Sequence, residues 1–148
     1  MLKNVKNLVV VVLLAVSGIA NAQITIKETP VEVGYSKTGT IKVISVELGG
    51  GQYRFLFKDR QYNYISDWKS FTVSNAQTLK DFGSILEQQL NTPKGTELRL
   101  DIDDTSILIM TRKMMGMTYL SVLVSSKSGP TGYFNIEKKN LDTLFKNI

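Results

Sequence analysis

The chain has 148 residues, with 18 Lys and Arg against 13 Asp and Glu, a formal net charge of +5. It contains no Cys and no His. Those absences exclude disulfides, thiolate catalysis, Cys or His zinc sites, Ser-His-Asp triads and imidazole acid–base chemistry, and the mild charge falls short of a dedicated nucleic-acid binder.

The first segment reads as an address rather than as fold. Met1–Asn7 carries Lys3 and Lys6 and no acid, Leu8–Val16 is an unbroken apolar run, and Ala20-Asn21-Ala22 places small residues before Gln23. These are the parts of a secretory signal peptide. Residues 1–22 are therefore expected to be removed, leaving 126 residues of charge +3, enough for one domain with a sizeable core. The apolar run is shorter than the roughly 20 residues of a spanning helix, so a membrane is met only through an uncleaved leader. The expected location is the periplasm or the medium.

Gln23–Thr40 is a lead-in. Ile24, Ile26, Val31 and Val33 alternate with polar residues, and Pro30 confines the segment to a sheet edge. Tyr35–Gly39 reads as loop. Ile41–Leu48 alternates as a strand and ends at Gly49-Gly50-Gly51. No P-loop Lys-Ser/Thr follows, and the next segment, Tyr53–Lys58, is another strand, so the glycines predict a tight turn and not a phosphate cradle. Tyr53, Phe55 and Phe57 line one face of that strand, and Tyr62, Tyr64, Trp68 and Phe71 continue the aromatic supply. Aromatics beside Arg54 and Lys58 suit base stacking on a single strand. The core reading is preferred, because the helix that follows needs a sheet face to cover. Ser74 or Asn75 caps that helix. Leu79, Phe82, Ile85, Leu86 and Leu90 form one apolar stripe at helical period, Gly83 marks a close approach to the sheet, and Pro93 and Gly95 end the element.

A meander follows, with apolar-rich runs at Leu98–Ile102, Ile107–Thr111 and Thr118–Val124. Asp103-Asp104 and Met114-Met115-Gly116 suit the two hairpin tips. Ile107–Met110 is apolar at every position, which predicts a strand covered on both faces. Ser125–Thr131 is a flexible loop and Gly132–Ile136 a short strand. A closing helix from about Glu137 carries Leu141, Leu144, Phe145 and Ile148 on one stripe.

The predicted fold class is thus α+β, mainly antiparallel sheet with two amphipathic helices, in a single domain over 41–148. Counted from Gly39, four strands and a helix occur twice, over halves 41–91 and 96–148, each helix covering its own sheet. This duplicated ββββα layout resembles that of Whirly and PUR-type single-strand nucleic-acid binders. The resemblance implies a single-strand-binding module, although no motif of those families maps onto numbered positions here.

One stretch looks chemical. In LRLDIDDTSIL, Asp101-x-Asp103-x-Thr105 resembles the nucleophile motif of haloacid-dehalogenase-type phosphatases, in which the first Asp attacks phosphorus and the second serves as acid–base. That family opens an α/β core with the motif; here the 43 residues after Thr105 read as strands. Asp101, Asp103 and Asp104, with Glu97, also offer hard oxygens to calcium, without EF-hand spacing. A carboxylate-based hydrolase or a calcium module stays as an alternative, and a solvated hairpin tip is the preferred reading. Met114, Met115, Met117 and Lys127 are the candidate partner-binding residues, since exposed Met adapts to varied partners. The competing reading, preferred on residue type, packs alternate Met residues beneath the helix. The function expected is non-catalytic: an exported binding or structural domain, with no cofactor implied, whose partner is a protein or a surface. Nucleic acid is disfavoured by export and by the modest charge.

Overall fold

The computed structural model describes residues 31–45, 51–61, 67–127 and 132–148. The leader, Gln23–Pro30, Gly49-Gly50, Tyr62, Tyr64 and residues 128–131 lie outside them. The elements are β1 (Val31–Tyr35), β2 (Ile41–Ser45), β3 (Tyr53–Lys58), β4 (Trp68–Val73), α1 (Ala76–Leu90), β5 (Glu97–Ile102), β6 (Thr105–Met114), β7 (Met117–Ser126), β8 (Gly132–Ile136) and α2 (Lys138–Leu144). The strands form two antiparallel four-stranded sheets, ordered β1-β2-β3-β4 and β5-β6-β7-β8. The duplicated ββββα layout is present, but the first unit begins earlier than its pattern suggests. Its fourth strand is Val31–Tyr35, inside the lead-in, and not a segment after Gly39. A bulge at Val33 restores the register there, pairing Glu32 with Ile44 and Gly34 with Val43.

Alternation sets the faces. Ile41, Val43, Phe55, Phe57, Phe71 and Val73 point inward from the first sheet, and Ile107, Ile109, Leu120, Val122, Phe134 and Ile136 from the second; all are buried in one cluster. Phe55 is the hub: its ring centroid lies 5.0 Å from Phe71, 5.5 Å from Phe134 and 5.7 Å from Phe82. Rings from both sheets and a helix therefore share one core. Each fully buried side chain of this size contributes roughly 1.5–3 kcal/mol.

Helix α1 forms where the stripe predicts. Asn75 caps it, its side-chain oxygen accepting from the Thr78 N–H at 2.8 Å, so Asn75 and not Ser74 takes the role. Leu79, Phe82 and Leu86 are buried, and Gln89 joins them. Its Nε2 donates to the Thr96 carbonyl at 3.0 Å and to Thr111 Oγ1 at 3.1 Å, while Thr111 Oγ1 donates to the Gln89 carbonyl at 3.0 Å. A buried amide needs such partners, and these two sit at the start of the second unit and on β6.

The helices do not lie where the repeat suggests. Helix α1 packs against β6 and β7 of the second sheet, as well as β4, and α2 packs against β1 and β2 of the first. Each unit thus lends its helix to the other unit's sheet. Gly83 correspondingly marks an approach to the end of α2, not to a sheet: a Cβ there would lie 2.9 Å from the Phe145 ring.

The double-faced burial expected of β6 also fails. Ile107 and Ile109 are buried, but Leu108 and Met110 point to the outer face and are only half-buried. Leu108 sits between Arg99 of β5 and Leu123 of β7, and Leu123 is itself 39% exposed. Same-face neighbours, not a covering layer, shield this row.

Hydrogen bonds around Asp59 stitch the two sheets together. The Arg60 N–H donates to the Tyr133 carbonyl at 2.9 Å, and the Tyr133 N–H donates to Asp59 Oδ1 at 3.2 Å. Asp59 is buried. It also accepts from the Gln61 N–H at 3.0 Å and from the Lys69 ammonium. Gly132 closes over this pair, where a Cβ would meet Lys69 Cδ at 2.7 Å.

Candidate functional site

The longest hairpin, β6–β7, ends in a two-residue turn between paired Met114 and Met117. Met115 has φ +51° and Gly116 φ +78°, the positive pair that a type I′ turn requires. Glycine adopts that backbone freely, whereas for methionine it costs about 1–2 kcal/mol. Met115 is 93% exposed, and Met114 and Met117 are exposed as well. Packing beneath a helix is therefore not their role.

The remaining candidate residues lie elsewhere. Lys127 is exposed and follows β7 at the end away from the tip. The ten residues of β7 separate the two by roughly 30 Å at ~3.3 Å per residue, so one small ligand cannot span both. Asp101, Asp103 and Asp104 share the Lys127 end, since Thr105 pairs with Ser126. Asp101 accepts from Ser106 Oγ at 2.7 Å. Asp103 occupies the turn with φ +50°, and its carboxylate accepts from the Ser74 N–H at 3.0 Å. Among the described residues no group of three or more acidic side chains is placed to hold a metal ion. The structure spends two of these carboxylates on structural hydrogen bonds, one within the β5–β6 hairpin and one to Ser74 of the first unit, and does not bring the three together.

Among the described residues, Asp59 has a carboxyl displaced from its ordinary pKa. Burial by itself pushes its carboxyl up, but the hydrogen bond from Lys69 and those from the Gln61 and Tyr133 N–H groups outweigh burial, and hold it below the ordinary value. Every one of these partners is structural, so Asp59 is a clamp and not a reacting group.

Beside the tip of the β6–β7 hairpin lies a cleft of about 300 Å³. One wall is apolar: Met114, Met117 and the Tyr119 ring. Thr38 and Thr40, from the β1–β2 turn, line it too, with Arg60, which follows β3. Asn135, Glu137 and Asn140 close it. Asn140 is 4% exposed, and its Oδ1 has no hydrogen-bond partner among the described residues. Sequence reasoning singled out none of the polar members. Asn140 adjoins the Leu141–Leu144 stripe, and no periodicity tells a buried polar neighbour from a solvated one.

The aromatics divide between core and surface. Tyr53, Phe55, Phe57 and Phe71 are buried. Tyr35 and Trp68 are exposed instead, on the outer face of the first sheet beside Lys42, Arg54 and Lys58. Lys58 Nζ lies 5.4 Å from the Trp68 ring centroid, within cation–π reach.

Compared with known proteins, the chain matches no family model, no curated protein and no solved structure. The likeness to Whirly and PUR-type proteins is accordingly one of element order alone.

Proposed function

We propose that the protein is a non-catalytic binding module of the cell envelope or medium that docks a protein or surface partner through the β6–β7 tip. One observation carries this reading: Met115 is 93% exposed and holds φ +51°. Neither burial nor backbone preference explains methionine there. Strain kept at an exposed position points to function, and Met is the side chain that adapts to varied partners. The lack of Cys and His supports the non-catalytic part. Met115→Asn tests the reading, because Asn tolerates the left-handed backbone. It is expected to raise stability by about 1 kcal/mol. A photo-crosslinking residue at position 115, expressed in the native host, is expected to give a discrete adduct. Absence of any adduct from position 115 overturns the proposal.

A second reading has one observation behind it. Tyr35, Trp68, Lys42, Arg54 and Lys58 share the outer face of the first sheet, the mixture that tracks single-stranded nucleic acid. A gel shift with single-stranded DNA that fades with salt supports it, and no shift at low salt removes it.

A further inference from the structure

We infer that the cleft beside the β6–β7 tip binds the carboxyl terminus of a peptide that ends in an apolar residue. Three features of the cleft define that ligand. The first is the Asn140 carboxamide, which is 4% exposed with no partner for Oδ1 among the described residues. Folded proteins rarely leave a buried polar atom unbonded, so this oxygen calls for a donor that arrives with a ligand. The neighbouring polar groups do not supply it. Thr38 and Thr40 hydroxyls bond one another at 2.8 Å, and Thr38 continues to Ser36 at 3.2 Å.

The second feature is Arg60. Its main chain is held on both sides by Tyr133, through the N–H at 2.9 Å and the carbonyl at 3.4 Å. Its guanidinium pairs with no acid among the described residues. Glu137, the acid on the cleft, is paired with Lys139 at 3.1 Å. The unbalanced charge is therefore positive, on a residue whose backbone is already fixed. A guanidinium of this kind takes a carboxylate in a forked pair of hydrogen bonds. The third feature is the wall of Met114, Met117 and Tyr119, which accepts an apolar side chain of variable shape.

A peptide end answers all three at once. Its carboxylate meets Arg60, its last amide N–H meets Asn140 Oδ1, and its side chain lies on the Met wall. Inorganic phosphate would leave the wall and Asn140 unused. A neutral sugar would leave Arg60 without a counter-charge. The volume of about 300 Å³ sits at the low end of the range for small-ligand sites, which suits a terminal residue and not a long segment. The cleft shares Met114 and Met117 with the tip but is not lined by Met115, so the variant at 115 separates cleft binding from docking at the tip.

Calorimetric titration of the purified protein with acetyl-Ala-Ala-Leu and with its C-terminal amide tests this. The free acid is expected to bind about tenfold or more tightly than the amide, and Arg60→Gln is expected to remove that preference. Arg60 holds the fold through its main chain, so this variant keeps its structure. Asn140→Leu is expected to weaken the free acid about tenfold or more while raising Tm, because a buried carboxamide oxygen without a partner among the described residues is gone. Met115→Asn is expected to bind the free acid as wild type does. Equal binding of acid and amide, no binding of the acid at millimolar concentration, or wild-type binding by Asn140→Leu overturns the inference.

Discussion

Gly34→Ala is expected to destabilise the protein by about 3 kcal/mol, near the upper end for overpacking, and to lower Tm by roughly 10 °C for a domain of this size. Gly34 is buried on β1, opposite Val43, where the bulge turns it inward. A Cβ built there overlaps the carbonyl oxygen of Leu144 and lies 2.9 Å from that carbonyl's carbon. Both atoms are backbone, so no rotamer change relieves the clash. Either β1 leaves the sheet or the end of α2 lifts from it. Leu144 is fully buried, and lifting α2 would draw it out of the core. The substitution therefore reads out the contact by which the second unit's helix covers the first unit's sheet. Thermal melting measures the effect. A Tm within a degree of wild type would show that α2 does not close on β1.

Asp59→Asn is the other large effect. Asp59 is 3% exposed, and it joins β3, the Lys69 ammonium and the Tyr133 N–H of β8. Removing one partner of a buried ion pair costs about 3–5 kcal/mol. The isosteric amide retains some of the hydrogen bonds, so about 3 kcal/mol is expected. The pH dependence has a definite sign. The carboxyl is held below its ordinary value in the folded state. Its contribution is thus complete above the unfolded carboxylate pKa of about 3.9, and is lost as pH falls through the lower folded value. Wild type and variant should differ by the same amount from pH 5 to 8 and converge in stronger acid. Denaturant unfolding at pH 7 and at pH 3 checks this. A difference that grows in acid would contradict the clamp.

Much of the architecture was legible in local pattern. The helical stripe of Leu79, Phe82 and Leu86, the aromatic face of Phe55 and Phe57, and both tips of the meander depend on neighbours within a few residues. Side-chain periodicity reports which face is buried whatever covers it. The same signal misjudged Leu108 and Met110. Apolar content at those positions reflects a row sheltered by Arg99 and Leu123 on its own face, and composition cannot separate that from a second covering layer. Val31–Tyr35, by contrast, was legible as an edge strand from the alternation of Val31 and Val33, and it is the edge of the first sheet; the bulge at Val33 that turns Gly34 inward was not.

The candidate site was half visible. The Met114–Met117 turn could be located from Gly116, but residue type alone favoured packing Met inward; the positive φ at Met115 and its exposure came from the folded hairpin. The cleft could not be read at all. Arg60 and Asn140 lie 80 positions apart in the chain, and only long-range pairing brings them to one cleft.

Local order, then, already specified an α+β chain of antiparallel strands and two amphipathic helices without thiol or imidazole, since these properties belong to residue types and to spacings of two and 3.6. Which sheet each helix covers, where Asp59 locks the halves together, and that Asn140 Oδ1 is buried with no partner among the described residues were decided by the tertiary structure. Each of these depends on contacts between segments far apart in sequence, and a periodic apolar stripe fits any complementary surface equally well.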